Sequence, residues 1–328
     1  MMDENKNLNV IPVAFICDEN FVMPTCVAAT SLIKNAGETT FYDIFIIMAE
    51  CSVESERKIL ELKSADCEIH IIRRSLEQYS EIKQLAHISK ACLLKFEVSN
   101  IVDQYDKVIY LDGDIIVRGD LLPLYEIEFK DEYAAGVKDL DSIVEDKGNI
   151  NAGIMLFNAK KIRDEGILPI LIQTRKELGD RASMDQQTYN IVFQNKYIYL
   201  PIQFNCIASK LVGTEHKKRY SMLTTEKLNR VYNTDYKSNF EVVNDALIIH
   251  FATSYKPWIY TFATGAKEWY TYYLLSPFKD IPFKLISRGE YRFRNVLRCI
   301  REDGFKGLLR LLLRKFQSKK TNGKIEWE

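Results

Sequence analysis

The sequence predicts an α/β protein built on a mixed, mostly parallel sheet flanked by helices. Three observations carry this expectation. Apolar, β-branched runs alternate with segments of helical pattern, the arrangement of a layered α/β domain. One such run, Val108–Leu111, stops abruptly at Asp112-Gly113-Asp114, and ligands of open α/β sheets sit beyond the carboxyl ends of the strands. The chain has 328 residues, 47% hydrophobic and 27% charged, which is ordinary for one large globular domain with an appendage, or for two domains.

The elements follow in order. Val10–Cys17 reads as a first buried strand, followed by a helix to about Asn35. Phe41–Ala49 is a second apolar strand. Ser52 is a fitting N-cap, with Glu54 and Glu56 favouring the first turn of a helix to about Ser64. Glu68–Ile72 is a third strand, and Ala91–Asn100 reads as helical. The second half is more mixed. Tyr133–Lys138 and Ile154–Phe157 are strand-like, Ser183–Phe193 is helical, and Ala246–Phe251 is a buried strand ending near His250. Past Lys256 aromatic residues become dense, among them Trp258, Tyr260, Trp269, Tyr270, Tyr272, Tyr273 and Phe278.

A formal net charge of zero conceals an asymmetry. Residues 288–320 hold eleven basic and three acidic side chains, so the remainder is net acidic. Within that tail, Phe305, Leu308, Leu309, Leu312, Leu313 and Phe316 recur at helical spacing, with Lys306, Arg310 and Arg314 on another face. A basic amphipathic helix suits an anionic membrane surface; the same pattern also fits a helix docked on the domain. No nucleic-acid motif accompanies the charge, and nucleic acid is not expected as a partner. Seven cysteines without a C-x-x-C pair argue for reduced thiols. The polar N-terminus lacks the pattern of a secretory signal, and no apolar run approaches the roughly 18 residues of a bilayer span. The expected location is cytoplasmic, at or near the inner face of the cell membrane.

Two carboxylates at a strand end are costly unless a cation joins them. A hard divalent ion such as Mg²⁺ or Mn²⁺ is the natural partner, and it would in turn hold a diphosphate. The pattern alone is weak, since Asp139-Leu140-Asp141 repeats it among 45 acidic residues. A solvated turn is the plainer reading. His250 ends an apolar strand and is either a hydrogen-bonded core histidine or a nitrogen ligand for the same cation. Lys256 is either a surface lysine or a point charge for a phosphate.

The order of the pieces resembles glycosyltransferase family 8, which includes bacterial lipopolysaccharide galactosyl- and glucosyltransferases and the glycogenins. They are Phe15-Ile16-Cys17-Asp18-Glu19-Asn20, His87-Ile88-Ser89 leading to Lys95, Tyr110-Leu111-Asp112-Gly113-Asp114, Asn151-Ala152-Gly153, Asp185-Gln186-Gln187, and His250 with Lys256-Pro257-Trp258. The resemblance runs from about Val13 to Lys279 and implies a GT-A fold with a small helical C-terminal extension. The expected division is a catalytic domain over 1–256, an aromatic connector packing on it over 257–287 and the basic amphipathic tail over 288–328. By that likeness Asp112, Asp114 and His250 ligate Mn²⁺ (or Mg²⁺), which bridges the diphosphate of a UDP-sugar. Asp18 and Asn20 contact uracil and ribose, Lys256 holds the diphosphate, and Lys95 and Gly113 join the nucleotide-sugar contacts. Asp139, Asn151, Asp185 and Gln186 line the sugar pocket, with Gln186 and Asp185 closest to the chemistry.

Two departures stand out. Lys95 replaces a frequent Arg, keeping the charge without the bidentate fork. Thr253 stands where some relatives have Gly, which restricts how closely the main chain approaches a phosphate. The implied activity is a metal-dependent, configuration-retaining transfer of glucose or galactose to a glycan or glycolipid acceptor. A self- or protein-glycosylating enzyme and a non-catalytic glycan- or membrane-binding relative are the other readings.

Overall fold

The computed structural model describes residues 8–83, 89–179, 185–213 and 220–294, with 297 and 301. The amphipathic stretch 305–316 therefore lies outside the described residues, as do His87 and Ile88. Among the described residues no helix is long and apolar enough to cross a membrane.

A seven-stranded sheet forms the centre. Its strands are β1 (Asn9–Ile16), β2 (Thr40–Met48), β3 (Cys67–Arg73), β4 (Val108–Leu111), β6 (Ala134–Lys138), β7 (Ile150–Phe157) and β8 (Tyr197–Leu200), arranged β3-β2-β1-β4-β7-β6-β8. Two further strands, β5 (Ile115–Val117) and β9 (Ile248–His250), pair with each other in a separate ribbon. β1 runs parallel to β2 and β4, β2 to β3, and β6 to β8, while β7 is antiparallel to both β4 and β6. The expected mixed, mostly parallel sheet is the one observed.

Helices cover both faces. Val22–Lys34 buries Cys26, Ala28, Ala29 and Leu32 beneath β1, β2 and the β5–β9 ribbon. On the other face Ile167–Leu178 and Gln186–Val192 pack through Leu171 and Tyr189 against Tyr110, Met155 and Phe157. A third cluster joins Val27, Ile116 and Ile249 to Trp269 and Tyr273 of helix Ala266–Tyr273, where Trp269 is completely buried. Arg118 clamps this helix with a two-pronged contact to Glu268 at 2.6 Å on each branch.

Several boundaries differ from the sequence reading. Ser52 does cap its helix, its Oγ accepting from the Ser55 N–H at 3.1 Å, but the helix is Val53–Leu60. It stops short because Ser64 already bridges to Cys67, which starts β3. The expected helix over 91–100 is mostly a 3₁₀ segment, Lys90–Glu97, followed by a short α-turn, Val98–Ile101. In 3₁₀ winding residues i and i+3 eclipse, so Cys92 and Lys95 share a side. β7 begins four residues earlier than its apolar core suggested, because Asn151 and Gly153 lie within it. The Ala246–Phe251 segment contributes only β9, and it leaves the main sheet to pair with β5.

Candidate active site

The carboxyl end of β4 delivers Asp112, and the start of β5 fixes Asp114. Gly113 between them has a packing reason: a Cβ there would lie 2.3 Å from Thr25 Oγ1. β9 pairs antiparallel with β5 in a register that sets His250 opposite Ile115. The imidazole Nε2 consequently lies 3.3 Å from Asp114 Oδ1 and 3.7 Å from Asp112 Oδ2. One ligand atom from each of the three residues falls within 4.8 Å of the others. His250 Nδ1 faces Asn205 Oδ1 at 2.9 Å, and Nε2 faces the carboxylates. Two oxygens and an imidazole nitrogen on converging elements make a donor set suited to a hard divalent ion. These residues fit the metal that the motif implies.

Gly153 makes this convergence sterically possible. A Cβ at that position would sit 2.3 Å from His250 Cε1 and 2.9 Å from Asp112 Oδ2. Its carbonyl also accepts from the Asp112 N–H at 2.7 Å. Gly153 therefore marks a close approach in mid-strand.

Two lysines balance the acids. Lys256 Nζ lies 2.5 Å from Asp114 Oδ2 and also donates to the Phe251 carbonyl at 2.7 Å. Burial pushes the Asp114 carboxyl up, but Lys256 and His250 outweigh it and hold it well below the usual carboxylate range. Lys95 is buried; its ammonium contacts Asp185, the Ala152 carbonyl at 2.9 Å and Asp112 Oδ1 at 3.4 Å. It also stacks 4.3 Å over the Tyr110 ring, whose hydroxyl donates to Asp112 Oδ1 at 2.6 Å. Burial alone would depress the Lys95 ammonium, yet Asp112 and Asp185 raise it above its ordinary value. Burial likewise lifts the Asp112 carboxyl, with Lys95 opposing and Asp114 reinforcing the shift. Three partners in different directions suit an ammonium point charge, which accounts for Lys at this position without a fork.

The sugar-pocket candidates also meet. Asp139 caps helix Leu140–Val144, Oδ1 accepting from the Asp141 and Ser142 N–H groups. Its Oδ2 accepts from Asn151 Nδ2 at 3.0 Å and Gln186 Nε2 at 3.4 Å. Gln186 Oε1 accepts from Asn151 Nδ2 at 3.1 Å and the Ala152 N–H at 3.3 Å. The second Asp-x-Asp is thus divided. Asp139 joins this cluster, whereas Asp141 pairs with Lys210 Nζ at 2.6 Å.

Asp18 follows the end of β1 by two residues and precedes the 3₁₀ turn Glu19–Phe21, in which Asn20 is exposed. Asp18 Oδ1 is a buried oxygen without a hydrogen-bond partner. Such an atom is costly unless a ligand satisfies it. Thr253 is buried, with Oγ1 3.4 Å from Ser209 Oγ, and it is not among the residues with positive φ, so its backbone does not demand glycine. Sequence reading missed Asn205, which follows a short turn among apolar neighbours and carries no local motif.

A model of glycosyl transferase family 8 matches residues 12–261. The chain belongs to this family. Lipopolysaccharide 1,2-glucosyltransferase of Escherichia coli is 24% identical over 86% of the chain and 83% of the relative. Glycosyltransferase GlyF of Streptococcus pneumoniae serotype 4 (strain ATCC BAA-334 / TIGR4) is also 24% identical, over 79% of the chain. The chain spans only 60% of GlyF's length. Among solved structures, galactosyltransferase LgtC, in complex with donor and acceptor sugar analogs, superposes with a TM-score of 0.67 at 22% identity. That match covers 83% of this chain and 98% of LgtC. The architecture is the GT-A fold.

Proposed function

We propose that this family 8 enzyme transfers a hexose, glucose or galactose, from a UDP-sugar to a hydroxyl of a cell-surface glycan acceptor such as lipopolysaccharide or a related lipid-linked oligosaccharide. The observation that carries the proposal is the convergence of Asp112, Asp114 and His250 beside Lys256. Lipopolysaccharide enters through the named Escherichia coli relative. A bound Mn²⁺ or Mg²⁺ would supply Lewis-acid stabilisation of the departing diphosphate.

The chain's own residues take the remaining roles. Asp18 offers its unsatisfied oxygen to an N–H of the uracil, beside Asn20 for the ribose. Lys256 supplies charge to the leaving diphosphate. Asp139, Asn151 and Asp185 orient sugar hydroxyls, and Lys95 keeps Asp185 and Asp112 in place. Gln186, an amide and a poor nucleophile, is held by Asn151, Ala152 and Asp139. It would stabilise developing positive charge while the leaving phosphate helps deprotonate the acceptor on the same face, which retains configuration.

The test is UDP release from a panel of UDP-sugars, with Mn²⁺ or with EDTA. Release from one donor should fall more than about 100-fold on chelation and in Asp114→Ala. Release indifferent to both would sink the proposal. For Asp185→Asn the expected result is unaltered UDP affinity by calorimetry and a kcat lower by about 100-fold, the cost of a misplaced substrate. Unchanged turnover would remove Asp185 from the sugar-orienting set.

A further inference from the structure

We infer that Asn205 is a positioning residue that fixes the tautomer of His250, through a chain of amides whose polarity is set at Asp139. The inference builds on the metal-site reading above and adds the link between that site and the sugar pocket.

The directions of the hydrogen bonds follow from donor and acceptor chemistry, independent of how any amide is drawn. The Asp139 carboxylate accepts two backbone N–H bonds at Oδ1, and its Oδ2 accepts as well. Asn151 must therefore turn its NH₂ toward Asp139, at 3.0 Å. A second constraint agrees, because the Gly153 N–H donates to Asn151 Oδ1 at 3.1 Å. With Oδ1 so placed, the Asn205 group 2.8 Å from it must be the NH₂. Asn205 Oδ1 is then the atom 2.9 Å from His250 Nδ1, and that nitrogen must carry the proton. Nε2 is left facing Asp112 and Asp114.

The chain is buried throughout. Asn205 and His250 are each 3% exposed, Asp139 5% and Asn151 9%. Water cannot readily replace a lost partner there, so each amide keeps its orientation. Tertiary pairing holds the link in place: Cys206 bridges in parallel to Ile249, and the His250 N–H donates to the Cys206 carbonyl at 2.9 Å. Asparagine is the side chain that serves both ends, one acceptor for the imidazole and one donor for Asn151. Aspartate would serve only the imidazole, and leucine neither.

The experiment compares Asn205→Leu and Asn205→Asp in the full chain. Mn²⁺ affinity is read by electron paramagnetic resonance without donor, and thermal unfolding is read alongside. Expected are a 10- to 100-fold loss of affinity, of about the size given by removing an outer-shell partner, in Asn205→Leu, and no loss in Asn205→Asp. Asn205→Asp should instead lose kcat, because Asn151 Oδ1 then faces a carboxylate. Wild-type affinity in Asn205→Leu, or equal losses in both variants, would overturn the assignment. If Asn205→Leu does not fold, the wild type still decides. Nitrogen-15 spectra of its four histidines, with the signal assigned by His250→Gln, should show a proton on His250 Nδ1 with and without Mg²⁺. An unprotonated Nδ1 refutes the inference. Absence of Mn²⁺ binding by the wild type would count against the proposed function, whereas the Nδ1 signature reports on Asn205 either way.

Discussion

Alanine in place of Gly153 is expected to weaken Mn²⁺ binding by at least about 100-fold while the sheet remains folded. The added Cβ would meet His250 Cε1 at 2.3 Å and Asp112 Oδ2 at 2.9 Å, far inside contact distance. Neither neighbour yields freely. The His250 ring is buried and tied to Asn205, and Asp112 is held by Tyr110 and Lys95. One of the two must leave its position, and with it a ligand atom. Overpacking of this kind costs about 1–3 kcal/mol, which a domain of this size withstands. The measurement is Mn²⁺ titration of the variant, with urea unfolding of the ion-free protein as the control. Tight Mn²⁺ binding in Gly153→Ala would show that the cation does not sit between His250 and Asp112.

The second large effect is expected at Lys256. In the ion-free site its ammonium neutralises Asp114, whose side chain is 9% exposed. Lys256→Met leaves that carboxylate buried with His250 as its remaining nearby base. Breaking one side of a buried pair costs about 3–5 kcal/mol, so ion-free stability should fall by about 3 kcal/mol in denaturant unfolding. Mn²⁺ should restore part of this, because the cation takes over the same carboxylate oxygens. The metal-dependent rise in unfolding temperature should therefore be larger in the variant than in the wild type. UDP affinity should move the other way and fall, since a charge for the diphosphate is gone. If the variant matched the wild type in ion-free stability, Lys256 would be a surface charge after all.

Much of the architecture was legible in the chain. Val10–Cys17, Phe41–Ala49 and Glu68–Ile72 became β1, β2 and β3 within a residue or two of their expected ends. β1 and β2 are largely buried parallel strands, and such apolar runs stand out. The helix start at Ser52 was equally plain, because capping is a local event between one side chain and a nearby N–H. Helix ends and winding were less legible. The Lys90–Glu97 segment carries a helical apolar pattern, yet adopts the tighter turn in which Lys95 reaches Asp185, Ala152 and Asp112 at once. Strand β7 was read short because Asn151 and Gly153 look like turn residues, although both are placed by what they touch across the sheet.

The sequence by itself determined the fold class and set two acids and a glycine after a buried strand, with histidine and lysine near the end of another. Short-range pattern suffices for these, since hydrophobic period and strand-end carboxylates are written over a few residues. Only the tertiary structure decided that β9 leaves the main sheet to pair with β5, that its register turns His250 toward Asp112 and Asp114, and that Asn205 joins the imidazole to Asn151. The physical reason is that an apolar strand does not name its partner. Pairing and register are chosen by burial across the whole domain, and a buried amide acquires its role from the groups that folding places on either side of it.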